Sequence, residues 1–331
     1  MMKGRCFMFN SKKFKTVILP LIIIMIACFT SSFLIFGISI KNMTINNLNL
    51  TSNFYNIYNE IFNNSSYKYH DINEEKVFSL DNIDLISIET TSYEVTIIPY
   101  DENELKVKLS ANIQTNNNFN ESQLKINKDQ NKINIETYKV PNNFFFNMNN
   151  GKLDIYIPKT YNKSLDVSTI SGDGYVKNLN LSSLSFNSTS GSLTLKDMEM
   201  NNFIFQSASA DLDATNIILK DNNNKFNSIS GELNLDNVRG NLSFNTTSGN
   251  INCNKLLGDI NGGTISGDID IKASKDVGIK VDLKTVSGDI DVFPSIKVLE
   301  KSKKKLQGTI GDDVKHNLNI STTSGNISIY E

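Results

Sequence analysis

A Ser-Gly dipeptide returns at a nearly constant interval through the second half of the chain, and that interval constrains the fold more than any other feature. It stands at Ser171-Gly172, Ser190-Gly191, Ser230-Gly231, Ser248-Gly249, Ser266-Gly267, Ser287-Gly288 and Ser324-Gly325. With Ser209-Ala210 filling the one early gap, successive serines lie 19, 19, 21, 18, 18, 21 and 37 residues apart. A sustained period near 19, with the last interval about two periods long, marks a chain wound in stacked coils.

The positions around each Ser carry the packing pattern. Two before it there is always a hydroxyl: Thr169, Ser188, Ser207, Ser228, Thr246, Thr264, Thr285 and Thr322. Four before it the residue is mostly apolar, as in Val167, Phe186, Phe205, Phe226, Phe244, Leu283 and Ile320, with Gly262 as the exception. Six before it the row is again apolar except at Asn224. These even offsets form one face of a strand. After the step the apolar rows fall three and five residues on, as in Leu193 and Leu195, Ile251 and Cys253, or Ile269 and Ile271.

A straight strand cannot move its buried face from even to odd positions. The chain therefore turns at Ser-Gly, where Gly is expected to supply a positive φ and the hydroxyls to form ladders between coils. A further apolar row eight residues past the Ser (Leu179, Met198, Ile217, Val238 and Leu256) predicts a short third side to each coil. Ile269 is expected to face inward and Asp270 outward.

Upstream, apolar and polar residues alternate with period two, as in Ile86 and Ile88, Leu105, Val107 and Leu109, and Ile133 and Ile135. Such alternation predicts strands with one buried face, separated by turns at Asp101 to Asn103 and Asp129 to Asn131. Residues 41–82 are rich in Asn and Ser with weak periodicity, and are expected to form a stalk.

Residues 17–40, opening at Val17 and closing at Ile40, are an uncharged apolar run of 24 residues. As a helix this run is about 36 Å long, enough to cross a hydrocarbon core of roughly 30 Å. Lys3, Arg5, Lys12, Lys13 and Lys15 precede it, and no acidic residue appears before Glu60. The positive-inside rule then predicts a cytoplasmic N-terminus over 1–16 and an extracytoplasmic remainder. The run exceeds the core of a cleaved signal peptide and lacks a clear cleavage motif. Cys28 follows an imperfect lipid-attachment pattern and is the lipoprotein alternative.

The expected organisation is a cytoplasmic basic segment (1–16), a transmembrane signal-anchor (17–40), a stalk (41–82) and an all-β repeat domain (83–331), its regular coils spanning 161–331. The fold class is a β-solenoid, like a parallel β-helix. Lys and Arg total 33 against 35 Asp and Glu, a net charge of −2, which argues against a nucleic-acid partner. Cys253 is the one cysteine beyond the apolar run, so the exported part forms no internal disulfide.

The Thr-x-Ser-Gly-Asp-Ile units at 264–269 and 285–290, the Ile157-Pro158-Lys159 step before the first repeat, and Gly308-Thr309-Ile310-Gly311-Asp312 before the final Thr322-Thr323-Ser324-Gly325-Asn326-Ile327 resemble the bacterial β-strand-repeat family called putative adhesin. The resemblance runs from about Ile83 to Glu331. It implies a membrane-tethered envelope protein, in a family without agreed catalytic residues and with some members associated with envelope stress; the anchor, stalk, repetitive surface and missing catalytic groups add the expectation of a non-enzymatic binding, scaffold or sensing module. The chain departs from the pattern at Ala210 and in the long interval between Ser287 and Ser324.

No residue set predicts catalysis, a cofactor or a bound metal. The residues after the corner Gly (Asp173, Asp211, Glu232, Asn250, Asp268, Asp289 and Asn326) invite a Ca²⁺ reading, but several are uncharged and a polar corner explains them. Asp270 and Asp291, expected on one outer face a rung apart, are the carboxylate pair for the alternative of a carbohydrate-active β-helix enzyme. Their row also holds Tyr175, Thr194, Asp213, Asn234, Asn252 and Ser328, which reads as a solvated face. His70 and His316 have no metal-spaced partners, and Cys253 reads as a buried small hydrophobe. Lys297, Lys301, Lys303, Lys304 and Lys305 are expected in a solvated loop, with anionic envelope polymer or lipid as the sharper option. Phe144, Phe145 and Phe146 form an aromatic patch suited to an end cap or a contact.

Overall fold

The computed structural model of the protein describes residues 68–115, 122–137, 147–273, 277–293 and 295–330. Among them every regular element is a strand, and no helix is long and apolar enough to cross a membrane. The predicted anchor at 17–40 and the Phe144 to Phe146 patch lie outside the described residues.

The strands before the repeats are β1 (Lys68–Ser79), β2 (Leu85–Glu89), β3 (Glu94–Tyr100), β4 (Glu104–Thr115), β5 (Leu124–Asp129), β6 (Lys132–Thr137) and β7 (Asn147–Pro158). The coils begin with β8 (Ser164–Thr169), β9 (Gly174–Lys177), β10 (Asn180–Ser188), β11 (Leu193–Ser207), β12 (Leu212–Leu219), β13 (Asn224–Ser228) and β14 (Leu233–Arg239). They continue with β15 (Leu242–Thr246), β16 (Ile251–Leu256), β17 (Ile260–Thr264), β18 (Ile269–Ala273), β19 (Gly278–Thr285) and β20 (Ile290–Val292). Last come β21 (Ile296–Lys301), β22 (Lys305–Ile310), β23 (Val314–Thr322) and β24 (Ile327–Tyr330).

These strands stack in two parallel ladders that meet at the Ser-Gly corners. The first ladder runs β6, β2, β8, β10, β11, β13, β15, β17, β23, β19. The second runs β7, β3, β9, β11, β12, β14, β16, β18, β24, β20. Register is kept row by row, so Phe186, Phe205, Phe226 and Phe244 lie one above another in the interior, each at most 1% exposed. Phe186 and Phe205 are stacked, with ring centroids 6.0 Å apart. Each ring contributes about 1.5–3 kcal/mol by leaving water. Gly262 completes the row because the Phe244 ring occupies the space a Cβ would need.

The corner is held by one repeated hydrogen bond. In every coil with a Ser-Gly or Ser-Ala step, the hydroxyl two before the Ser accepts the backbone N–H of the residue after it. Examples are Thr169 Oγ1 from Gly172 at 2.8 Å, Ser207 Oγ from Ala210 at 2.6 Å and Thr246 Oγ1 from Gly249 at 3.0 Å. The hydroxyls thus act chiefly within their own coils, not as the ladder expected. Four of them (Thr246, Thr264, Thr285 and Thr322) also donate to an adjacent coil, as Thr285 Oγ1 does to the Gly325 carbonyl at 3.0 Å.

The expected positive φ at these glycines is not found; among the described glycines it is confined to Gly240, Gly258 and Gly311. The corner glycines are required for another reason. A Cβ on Gly191, Gly249 or Gly267 would overlap the carbonyl oxygen of Gly172, Gly231 or Gly249 in the adjacent coil.

Positive φ appears instead seven residues past the Ser, at Asn178, Asp197, Asn216, Asn237 and Lys255. Short polar residues tolerate this left-handed conformation best, and it re-aims the chain into the third side. That side is present as expected: Met198 pairs with Ile217, and Ile217 with Val238. The two 18-residue coils lose one residue there, and Gly240 (φ 124°) and Gly258 (φ 147°) turn the shortened corner. The longer coil before Ser230 places Asn224 inward, 1% exposed, where its amide accepts from Phe203 N–H at 2.8 Å and donates to two carbonyls.

Both ends depart from sequential winding. The last coil in sequence, β23 and β24, is inserted between β17/β18 and β19/β20. The corner bonds follow suit: Ser324 N–H donates to the Ile265 carbonyl (2.9 Å) and Ser287 N–H to that of Thr323 (2.8 Å). At the other end β2/β3 sits between β6/β7 and β8/β9. Antiparallel strands then close the outermost rungs: β5 on β6, β4 on β7 with β1 on the far side of β4, and the β21–β22 hairpin on β19. Covering parallel edges this way removes much of the open pairing surface.

Two assignments need correction. The stretch 68–79, read as stalk, is strand β1, paired with β4 over all twelve residues, so the β unit begins at Lys68. The segment around Lys297 to Lys305, read as a loop, is the end hairpin, whose alternation places Leu306 and Ile310 inward.

Candidate binding face

The outer face of the second ladder carries two aligned polar rows. The row four residues past each Ser runs Asp213, Asn234, Asn252, Asp270, Ser328, Asp291. The row six past runs Thr215, Asp236, Asn254, Lys272, Tyr330, and Phe293 occupies the same offset in the outermost coil. Parallel in-register pairing places neighbours in each row about 4.8 Å apart.

Amides link these rows. Asn234 Nδ2 donates to Asp213 (2.9 Å), Asn252 Nδ2 to Asn234 (2.9 Å) and Asn254 Nδ2 to Asp236 (2.6 Å). The Asn-rich composition is therefore structural in these coils. Between the two rows a groove of about 320 Å³ is lined by, among others, Asn252, Asn254, Asp270, Lys272 and Tyr330. Tyr330 hydroxyl donates to Asp270 at 3.3 Å, and its ring stacks on Phe293 with centroids 5.0 Å apart and planes 9° from parallel. Phe293 is 68% exposed. Asn254 Oδ1 is covered from solvent and accepts no hydrogen bond.

The predicted carboxylate pair is not one rung apart. Asp270 and Asp291 each pair with Ser328, from opposite sides, because β24 is inserted between their strands. Their backbones are thus separated by two ladder spacings, on the order of 9–10 Å.

The residues following the corner glycines bind backbone in the next coil. Asp173 accepts Ser192 N–H at 2.8 Å, Asp211 accepts Glu232 N–H at 2.7 Å and Asp268 accepts Asn326 N–H at 2.7 Å. This is the polar-corner reading, extended from coil to coil.

Cys253 lies inward and is 4% exposed, and burial alone pushes its thiol pKa well up, away from thiolate chemistry. His70 lies on β1 and His316 on β23, which belong to different parts of the stack. Of the lysine cluster, Lys297 pairs with Asp312 (2.6 Å), Lys305 with Glu300 (2.6 Å), and Lys304 bonds the Gly288 carbonyl.

A larger cleft of about 820 Å³ lies at the N-terminal end, bordered by Thr90, Leu124, Ile126, Thr137 and Ile170. Its polar rim is engaged in joining β1 to the entry of β5, since Glu74 accepts Gln123 N–H (2.6 Å) and Lys76 donates to the Leu124 carbonyl.

The Tyr330–Phe293 stack was missed in the sequence. The available signal was that both residues stand six past their Ser, a kinship hidden by 37 residues of separation.

Stacked parallel coils, with a shared interior and a repeated hydroxyl-glycine corner, define a solenoid-like all-β repeat protein. The model of the Toastrack DUF4097 family matches residues 83–330, and the chain belongs to that family. No curated protein matches the chain. Among solved structures it is similar to a putative adhesin from Parabacteroides distasonis (10% identity, 78% of this chain and 97% of that one, TM-score 0.48). A putative adhesin from Bacteroides fragilis is similar at 14% identity over 78% and 97% of the two chains, with a TM-score of 0.45. A putative lipid binding protein from Parabacteroides distasonis is similar at 15% identity over 81% and 98%, with a TM-score of 0.40.

Proposed function

We propose that the protein is a non-enzymatic binding module of the cell envelope. Residues 17–40 hold it in the cell membrane with the N-terminus cytoplasmic and the β unit outside. The observation that carries the binding role is the outer face of the second ladder, where two polar rows lie in register and one of them ends on the exposed Tyr330–Phe293 stack. The corner carboxylates Asp211 and Asp268 are committed to hydrogen bonds between coils, and Asp270 and Asp291 are separated by Ser328. A surface of this kind recognises a partner without transforming it.

The test has two arms. Accessibility labelling of cysteines placed at the two ends of the chain in intact cells should modify the C-terminal one and spare the N-terminal one. Cell-wall and capsule glycans incubated with the purified chain should be retained and not cleaved. Glycan turnover that disappears in both Asp270→Asn and Asp291→Asn would replace this reading with a carbohydrate-active enzyme.

A further inference from the structure

We propose that the groove at Asn252, Asn254, Asp270, Lys272 and Tyr330 binds a neutral glycan, and this rests on the binding-module reading above. The amide chain along the face runs in one direction, each Asn Nδ2 donating to the acceptor in the preceding coil. It stops at this groove. The next residue past Asn252 is Asp270, and a carboxylate has no proton to donate to the Asn252 amide oxygen. The groove therefore presents acceptors in excess at one place. Immediately beyond stands the aromatic pair, with Phe293 mostly exposed.

A sugar ring meets both demands. Its hydroxyls donate to amide and carboxylate oxygens, and its C–H face packs on an aromatic ring. The charges argue for a neutral one, because Asp213, Asp236 and Asp270 line the same groove against the single cation of Lys272 and would repel an anionic polymer. A calcium ion is disfavoured by Lys272 and by its need for six to eight oxygen ligands. A peptide strand is disfavoured because the groove lies on the face of the ladder, where no backbone edge is free to pair.

The test is isothermal titration calorimetry on the full chain in detergent, with cellohexaose, chitohexaose and maltohexaose as neutral probes and polyglycerol phosphate as the anionic one. At least one neutral hexasaccharide should bind. Phe293→Ala and Tyr330→Ala should each weaken it about tenfold or more, as expected for a lost contact of 1.4 kcal/mol. Tyr175→Ala, in the same outer row several coils away, should leave it unchanged. Circular dichroism melts should show the Phe293→Ala chain folded, so that lost binding reports the site. If no neutral oligosaccharide binds, or if Phe293→Ala and Tyr330→Ala bind as tightly as the native chain, the inference fails. Retention of an isolated envelope fraction in that case would keep the broader binding role, whereas failure to retain it would remove both.

Discussion

The Cα of Gly249 sits directly against the carbonyl of Gly231 in the neighbouring coil, leaving no room for a single methyl group. The same relation recurs between Gly267 and Gly249 and between Gly325 and Gly267. Gly249→Ala should therefore force the two coils apart at the corner and cost on the order of 1–3 kcal/mol. For a unit of this size that is a fall of several degrees in the melting temperature. Ser248→Ala, one residue earlier and exposed, should shift the melt by much less. Equal melts for the two variants would show that close approach does not set the corner.

Thr246→Val keeps the shape of the corner and removes the oxygen that accepts Gly249 N–H at 3.0 Å. The stranded donor is buried, so a loss of about 1–3 kcal/mol is expected. Thr246→Ser should recover most of it, since Ser fills this place in the coils of Ser188, Ser207 and Ser228. Chemical denaturation of the three proteins tests the order.

Removal of residues 314–331 takes out β23 and β24, which are interior rungs although last in sequence. In a stack wound in order, losing the final coil trims an end. Here it leaves β19 and β20 with no parallel partner and exposes Ile269 and Ile271. Proteolysis of the truncated chain should cut within 278–310, where the full chain resists. Continued protection of that region would contradict the inserted order.

Burial pushes the Tyr93 phenol up to about 12, with the Glu74 charge adding to the effect. The folded state thus holds the neutral form, while an unfolded tyrosine ionises near pH 10. This contribution is complete below about pH 10 and is lost as pH rises from there to about 12, amounting to roughly 2–3 kcal/mol. Tyr93→Phe should flatten the alkaline decline in urea midpoint between pH 9.5 and 11.5; an unchanged slope would assign the decline to other groups.

Tyr93 also shows why part of the fold was hard to read. Thr90, Ser92 and Tyr93 occupy the places of the hydroxyl, Ser and Gly of a coil, with Ile86 and Ile88 before and Val95 and Ile97 after in the buried rows. A search for Ser-Gly passes over this coil. The candidate binding face was legible only as a solvated row. Its groove depends on where the amide chain stops, and that depends on which coil lies next to which.

The repeat, the inward rows, the three-sided coil and the turn at each Ser-Gly step were all contained in the order of residues. Each is enforced locally, by the alternation of side chains along a strand and by the chemistry of a few adjacent groups. The order of the coils was decided by the tertiary structure. Parallel rungs with the same rows accept one another interchangeably, so pairing alone does not distinguish 266 followed by 287 from 266 followed by 324. The antiparallel β21–β22 hairpin, which can close only an outermost edge, places β19 and β20 at the end and sends β23 and β24 inside. That choice separates Asp270 from Asp291 and brings Tyr330 against Phe293.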